Sequence, residues 1–190
     1  TGINHQFKLI ETFRYDAAAG QVVRLHKHLQ RLAASADVFE YVIDIGNAQR
    51  SIQTHIQQQA PGHDLKIRLL LSDSGDIEIS SEVLPTSDGT GTAQPPKVCL
   101  SHLRLDESNL FRQHKTTNRA LYNTAYNEAE AAGFYDILFL NQNNKLAEAS
   151  RHNLFIEKNN VLYTPPLADG ALPGVMRNEL LKQNDRKVIE

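Results

Sequence analysis

The chain has 190 residues, which is long enough for one domain with a substantial buried core or for two small ones. Its 20 lysines and arginines nearly balance its 22 aspartates and glutamates, and no basic run suggests a partner nucleic acid. A single cysteine excludes an intrachain disulfide framework, and the N-terminus carries no signal-peptide pattern. With no apolar run of about 18 residues either, these features indicate a soluble cytoplasmic protein that does not enter a membrane.

The first half of the chain is predicted to form strands around two helices. Apolar residues at helical spacing predict a helix over His26–Phe39, and Ile45–Ala60 is predicted as a second helix that Pro61 and Gly62 end. Alternating or apolar runs bounded by turn residues predict the strands. These are Phe7–Arg14, which the turn residues of Asp16–Gly20 follow, and the hairpin of Asp64–Ser72 with Asp76–Leu84.

The second half begins with Pro85–Pro96, whose Gly, Ser, Thr and Pro content predicts a mobile surface loop. Lys97–Leu100 is then predicted to return to the sheet. A helix with one apolar face is predicted over Asn118–Ala132, before Gly133. Pro173 is predicted to open a final helix, where its missing N–H is not needed. Four short strands joined by turns precede that helix: Tyr135–Asn141, Lys145–Ala149, Asn153–Glu157 and Val161–Thr164.

Three separated blocks carry residues suited to one kind of chemistry. They are HKTTNR (114–119), AEASRHNLF with Glu148, and TPPLADGALPGVMR (164–177). A lysine, a distant carboxylate and a Gly-containing turn that opens a helix are what a pyridoxal phosphate site requires. The lysine must be neutral to attack an aldehyde, so Lys115 needs partial desolvation or positive neighbours such as His114 and Arg119. Judged from the residues alone, an exposed loop lysine remains the alternative.

In order and wording, these blocks resemble the class IV aminotransferase family, the fold type IV pyridoxal phosphate enzymes. The likeness extends to FKLIETFR (7–14) and HKHLQRLAASADVF (26–39), and it is strongest to the 4-amino-4-deoxychorismate lyases that are fused to an aminodeoxychorismate synthase subunit. It implies an α+β, D-amino acid aminotransferase-like fold of two subdomains, with the cofactor in the cleft between them, and a homodimer. The subdomains are expected at residues 1–100 and 114–190, connected by 101–113. Because the family normally continues beyond the position of Glu190, the second subdomain is expected to be truncated.

The resemblance also implies which residues hold pyridoxal 5'-phosphate by its aldehyde, ring nitrogen, 3′-oxygen or phosphate group. The expected cofactor-binding residues are Arg31, Lys115, Glu148, Asn153, Val175 and Met176, the last two through backbone N–H groups. Lys115 is also the expected catalytic residue. The alternatives are a surface helix arginine for Arg31, a solvated strand-end carboxylate for Glu148 and a turn-forming amide for Asn153.

Other residues are candidates for contacting the substrate or for binding a metal ion. By resemblance, Thr12 and Arg14 belong to a strand that faces the substrate, and Arg119 could meet a substrate carboxylate. His26 and His28 have an H-x-H spacing, but no further ligands stand in register, so no metal site is predicted.

The function that the resemblance implies is a lyase that acts on the small molecule aminodeoxychorismate. It releases pyruvate and forms 4-aminobenzoate for folate biosynthesis. The chain starts with TGINHQ where free-standing members carry an acidic, Gly-rich segment, which favours a synthase domain upstream, fused or associated. The alternatives are a branched-chain or D-amino acid aminotransferase of the same fold, and a non-catalytic domain of a fused synthase.

Overall fold

The computed structural model describes residues 7–59, 62–85, 95–183 and 187–190. The chain divides into two compact units, one made of Thr1–Thr92 with Lys115–Asn118, the other of Ala93–His114 with Arg119–Glu190. Both units combine helices with β-sheet, so the predicted α+β class is confirmed. None of the helices in the described residues combines the length and apolar character that crossing a bilayer demands.

The first unit is a four-stranded antiparallel sheet with two helices. The strands are β1 (Leu9–Asp16), β2 (Gln21–Val22), β3 (Leu65–Leu71) and β4 (Ile77–Val83), in the spatial order β2-β1-β3-β4. Helix α1 (Leu25–Val38) packs on β1, and helix α2 (Ile45–Gln59) packs on β4. These elements confirm the predicted strands and helices, while the last residue of the second predicted helix, Ala60, and Pro61 lie outside the described residues.

The hydrophobic pattern of the first unit explains its packing. Along β3, the leucines and isoleucine at positions 65, 67, 69 and 71 are buried, while Lys66 and Arg68 between them are exposed. This period of two buries one face of the sheet. On α1, Leu29, Leu32 and Ala36 are buried at spacings of three and four residues, which gives the helix one apolar stripe.

The second unit contains two three-stranded sheets. One has the order β5-β6-β7 and consists of β5 (Val98–Leu105), β6 (Asp136–Asn141) and β7 (Leu146–Ala149), with β5 parallel to β6 and β7 antiparallel to it. The other has the order β10-β9-β8 and consists of β8 (Ile156–Lys158), β9 (Val161–Tyr163) and β10 (Val188–Ile189). The helices are α3 (Ala120–Ala131), which packs on β6, and α4 (Val175–Leu180). Short 3-10 helices lie at Leu110–Gln113 and Leu167–Asp169.

The core of the second unit forms between α3 and the β5-β6-β7 sheet. Phe139 on β6 is fully buried, and Ala125 and Ala129 of α3 belong to the same apolar cluster. The ring of Tyr122 meets Phe139 edge-on, with 5.1 Å between ring centroids. This confirms the predicted apolar face of the third helix and places Tyr122 at the border of the core.

Two predicted element positions are wrong. The segment 97–100 does not return to the first sheet, because β5 pairs in parallel with β6 of the second unit. Parallel pairing joins residues far apart in sequence, so the pattern of one strand does not identify its partner. The last helix begins at Val175 rather than at Pro173, because Gly174 is its N-cap and has an extended backbone (φ −66°, ψ 140°).

The unit boundaries also differ from the expected subdomain boundaries. Residues 101–113, expected as a connecting segment, contain the end of β5 and a 3-10 helix of the second unit. Lys115–Asn118 join the first unit because the Thr117 N–H donates to the Lys8 carbonyl at 2.8 Å. Most of the predicted loop over Pro85–Pro96 lies outside the described residues.

Replacing Asp136 with asparagine is expected to destabilise the protein by about 1.5–3 kcal/mol at pH 7, the cost of losing charge-assisted hydrogen bonds. The buried Asp136 carboxylate accepts from the Ser150 hydroxyl at 2.5 Å, the Ile137 N–H at 2.7 Å and the His152 Nδ1 at 2.6 Å. Burial alone would raise its pKa, but these hydrogen bonds hold the pKa below its ordinary value of 3.8.

The sign of the pH dependence follows from that lowered pKa. The carboxylate stabilises the fold fully above about pH 4–5 and loses this effect as the pH falls through its lowered pKa. The free energies of unfolding of the wild type and of Asp136→Asn, measured with urea, should therefore differ less at about pH 3 than at pH 7. The matched control is Glu128→Gln on the exposed face of α3. A gap that is equal at both pH values would contradict the expectation.

Candidate active site

Lys115 lies in a short extended segment that pairs with the start of β1. Thr116 forms an antiparallel bridge with Leu9, and the Ile10 N–H donates to the Lys115 carbonyl at 2.8 Å. Thr116 is buried and Lys115 is half-buried. The backbone that carries the lysine is therefore held by a strand, and the side chain starts from a partly desolvated position, as a Schiff-base lysine requires.

The Arg31 side chain is held by a buried carboxylate. Its Nε donates to Glu11 Oε1 at 2.8 Å, one of its Nη atoms donates to Glu11 Oε2 at 2.6 Å, and His28 Nδ1 lies 2.7 Å from Oε2. Burial by itself would raise the pKa of Glu11, but the hydrogen bonds and charges of His28 and Arg31 hold that pKa below its ordinary value. With a side chain only 14% exposed, Arg31 is not a surface helix arginine.

Two of the expected cofactor ligands thus flank adjacent residues of one strand. The Lys115 backbone carbonyl accepts a hydrogen bond from the Ile10 N–H, and the Arg31 side chain pairs with the Glu11 carboxylate. Of the substrate candidates on the same strand, Thr12 is half-buried. Arg14 has a side chain that is 53% exposed, and its Nε donates to Asp64 at 2.9 Å.

In the second unit, Glu148 on β7 is surrounded by hydrogen-bond donors. Its Oε1 accepts from the Tyr122 hydroxyl, which in turn accepts from Arg112, and its Oε2 accepts from the Leu172 N–H at 3.2 Å. Burial raises the pKa of Glu148, although these donors and the charges of Arg112 and Arg119 oppose the shift. Glu148 is therefore a half-buried carboxyl in a defined setting rather than a solvated strand-end residue.

Arg119, a further charged residue of the HKTTNR block, has partners in the second unit. Arg119 donates to the Ser150 carbonyl at 2.6 Å and to Asn123 Oδ1 at 3.1 Å, and its guanidinium carbon lies 5.4 Å from the Tyr122 ring centre. Burial lowers the pKa of His114, which favours the neutral imidazole at pH 7. A neutral His114 would not supply positive charge beside Lys115, which leaves partial desolvation and Arg119 as the other two options.

Asn153 contacts the turn that precedes α4. A Cβ added to Gly174 would overlap the Asn153 carboxamide oxygen and lie 2.7 Å from its Cγ, so only glycine admits this contact. Val175 is buried and Met176 is partly exposed in the first turn of α4. Backbone N–H groups of a first helical turn have no acceptor within the helix. The structure therefore brings Asn153, Gly174 and the expected phosphate donors together.

Replacing Gly174 with alanine is expected to displace the Asn153 side chain rather than to unfold the protein. Asn153 is exposed and can rotate into water, and φ and ψ at Gly174 are allowed for alanine, so the stability loss should stay near 1 kcal/mol. If Asn153 binds the cofactor, Gly174→Ala and Asn153→Ala should weaken cofactor binding to a similar extent. Denaturant unfolding and cofactor titration measure the two effects. Normal cofactor binding in Gly174→Ala beside a defect in Asn153→Ala would contradict the displacement.

The chemistry of these residues fits pyridoxal phosphate. A half-buried lysine suits the aldehyde, and a guanidinium held in a fixed orientation suits a phosphate group. The burial of Glu148 is not fully offset by the cations around it, because its pKa is still raised. Such a carboxyl suits a positively charged ring nitrogen, which would favour the ionised form.

A family model for class IV amino-transferases matches residues 8–190. The chain therefore belongs to the class IV aminotransferase family, whose members are enzymes that use pyridoxal phosphate. This match confirms the resemblance of the three sequence blocks to that family.

Individual relatives divide between two activities. A Schizosaccharomyces pombe protein named "Putative aminodeoxychorismate lyase" is 29% identical over 177 residues, which is 92% of this chain and 73% of that protein. The branched-chain-amino-acid aminotransferase of Salmonella typhimurium is also 29% identical, over 88% of this chain and 60% of that enzyme. A crystal structure described as a "Putative amino-acid aminotransferase" from Mesorhizobium loti matches this structure with a TM-score of 0.84 and 29% sequence identity. The match covers 97% of this chain and 86% of that one. The chain thus spans less than two thirds of the Salmonella enzyme.

Proposed function

We propose that the chain is the pyridoxal phosphate-dependent part of a 4-amino-4-deoxychorismate lyase. The observation that carries the proposal is Lys115, which the backbone bond to β1 holds in a half-buried position within a class IV domain. The wording of HKTTNR and HLQRLAASA, and the likeness to the Schizosaccharomyces pombe protein, favour the lyase within the family. The homodimer, the upstream synthase domain and the cytoplasmic location stay predictions.

Each expected ligand has a part in holding the cofactor. Lys115 would attach it, Arg31 and the backbone N–H groups of Val175 and Met176 would bind its phosphate, and Glu148 would keep its ring nitrogen protonated. Asn153 would bind near the ring oxygen or hold the turn at Gly174. When bound, the cofactor withdraws electrons from the carbon that bears the substrate amine.

The residues of the chain would then act on the substrate. With the substrate amine bound at the cofactor, the Lys115 amine would remove the proton from the amine-bearing ring carbon. The electron pair left on that carbon forms a ring double bond as the C–O bond to the enolpyruvyl group breaks. Enolpyruvate takes up a proton and leaves as pyruvate, and the ring becomes the aromatic 4-aminobenzoate. Arg119 is the candidate for holding a substrate carboxylate, and Thr12 and Arg14 are candidates for contacting the substrate from β1.

The second candidate function is an aminotransferase for branched-chain or D-amino acids. It is favoured by the Salmonella aminotransferase, which is as similar in sequence as the lyase relative. The same lysine would serve, because an aminotransferase also removes a proton from the amine-bearing carbon. The two functions differ in their products and co-substrates, since an aminotransferase transfers the substrate amine and needs a 2-oxo acid to complete its cycle, whereas the lyase needs none.

Product analysis separates the two functions. The purified chain, loaded with pyridoxal phosphate, is incubated with aminodeoxychorismate in the absence of any 2-oxo acid. The proposal expects 4-aminobenzoate and pyruvate in equal amounts over many turnovers. Glutamate formed from 2-oxoglutarate and a branched-chain or D-amino acid, without 4-aminobenzoate in the first assay, would establish the aminotransferase. A folded, cofactor-loaded chain with neither activity would favour a non-catalytic domain.

A further inference from the structure

Glu11 is a carboxylate in an otherwise apolar position. It is 1% exposed, and its neighbours on the same face of β1, Leu9 and Phe13, are 0% and 4% exposed. Burying an ion pair has a large desolvation cost, and apolar residues of similar size often replace such pairs without loss of stability. Fold stability alone therefore does not account for a charged residue here.

The geometry of the pair favours a role in orientation. Glu11 binds two nitrogens of the Arg31 guanidinium at 2.8 and 2.6 Å, which fixes the plane of that group and not only its distance. His28 is three residues before Arg31 on α1 and bonds the same carboxylate at 2.7 Å. We propose that Glu11 is a positioning residue that holds the Arg31 guanidinium for the cofactor's phosphate group. This rests on the proposed function, in which Arg31 binds that phosphate.

The direction of the effect distinguishes positioning from competition. If Glu11 only competed with the phosphate for Arg31, removing its negative charge would strengthen phosphate binding. If Glu11 positions Arg31, removing the charge leaves a buried cation without its partner, and the flexible arginine side chain turns toward water. The phosphate then loses a guanidinium that was already oriented. Positioning therefore predicts weaker binding of the phosphorylated cofactor and unchanged binding of the same aldehyde without phosphate.

The test compares pyridoxal phosphate with pyridoxal, which has the same ring and aldehyde but no phosphate. Both are titrated into the cofactor-free chain, and the Lys115-dependent absorbance band reports binding. Glu11→Gln should weaken pyridoxal phosphate binding about tenfold and change pyridoxal binding by less than about twofold. In an Arg31→Ala background, Glu11→Gln should have no further effect on either ligand. The matched control is Glu82→Gln, a carboxylate of the same unit whose side chain is 65% exposed.

Glu11→Asp serves as a second variant if Glu11→Gln does not fold, as circular dichroism would reveal. It keeps the charge but shortens the side chain, so the Arg31 guanidinium should move toward β1. Binding of pyridoxal phosphate should then weaken while binding of pyridoxal stays unchanged. Equal weakening of both ligands in folded variants, or tighter pyridoxal phosphate binding, overturns the positioning role. A wild-type chain that forms no Lys115-dependent band overturns the proposed function and this inference with it. If the wild type forms the Lys115-dependent band and the variants keep the wild-type ratio of pyridoxal phosphate to pyridoxal affinity, only the inference about Glu11 is overturned.

Discussion

Replacing Lys115 with alanine is expected to abolish covalent retention of pyridoxal phosphate and to lower turnover by at least about 10²- to 10⁴-fold. This range, about 10²- to 10⁴-fold, is the typical contribution of one general acid–base group, and the loss of covalent attachment adds to it. The measurements are the absorbance spectrum after dialysis, borohydride trapping followed by mass spectrometry, and the rate of 4-aminobenzoate release. Reduction should fix the cofactor to the peptide that contains Lys115 in the wild type and to no peptide in the variant.

The fold should tolerate this change. The hydrogen bond that joins residue 115 to Ile10 uses the backbone carbonyl, which alanine retains. The free energy of unfolding, measured with urea, is therefore expected to change by no more than about 1 kcal/mol. Lys182→Ala, at an exposed lysine after α4, is the matched control and should keep both cofactor and activity. A trapped cofactor on a lysine other than Lys115 would refute the assignment even if the protein were active.

Local sequence patterns were sufficient for most secondary structure, because the deciding forces act within one element. The alternation of β3 reflects burial of a single sheet face, and the spacing of Ala125 and Ala129 reflects a single helix face. Sheet membership of β5 was not predictable in this way, because its partner β6 lies about thirty residues away and pairs in parallel. The contact made by Gly174, the N-cap of α4, was not predictable either, because it accommodates Asn153 from a different segment.

The candidate site shows the same division. Lys115, Glu148 and Arg31 were recognisable because they stand in continuous motifs. Their partners were not, because no motif links Tyr122 to Glu148 across 26 residues or Glu11 to Arg31 across 20 residues. Tyr122 had a weak signal as a polar aromatic residue beside the apolar face of α3. Glu11 had none, since a glutamate in an alternating strand usually indicates the solvent-facing side.

The contacts of the two carboxylates also suggest opposite electrostatic roles. Glu11 is fully compensated, because the hydrogen bonds of Arg31 and His28 keep its pKa low. Glu148 is incompletely compensated, because burial outweighs its donors and raises its pKa. A compensated carboxylate suits a fixed part of the protein, whereas an uncompensated one gains most from a cationic ligand. Removing the charge of Glu148 should therefore affect function and stability in different directions.

Replacing Glu148 with glutamine is expected to lower turnover about 100-fold or more without preventing attachment of the cofactor to Lys115. The glutamine oxygen can still accept from Tyr122, but a neutral amide does not hold a proton on the ring nitrogen, and the loss of one preorganised electrostatic partner costs on this scale. The measurements are steady-state 4-aminobenzoate release and the absorbance spectrum of the loaded variant. Turnover within about twofold of wild type would contradict the role of Glu148.

The cofactor-free Glu148→Gln variant is expected to be at least as stable as the wild type at pH 7. A carboxyl whose pKa is raised in the folded state stabilises the fold only while it is protonated, and that effect is lost as the pH rises through the raised pKa. At pH 7, which is above the ordinary pKa of a glutamate, the raised pKa of Glu148 is therefore a net cost to the stability of the fold, which glutamine removes. Urea unfolding of both proteins, with Glu128→Gln as the exposed control, measures this difference. A variant that is less stable by more than about 1 kcal/mol would mean that the donors around Glu148 stabilise its charge more than burial opposes it.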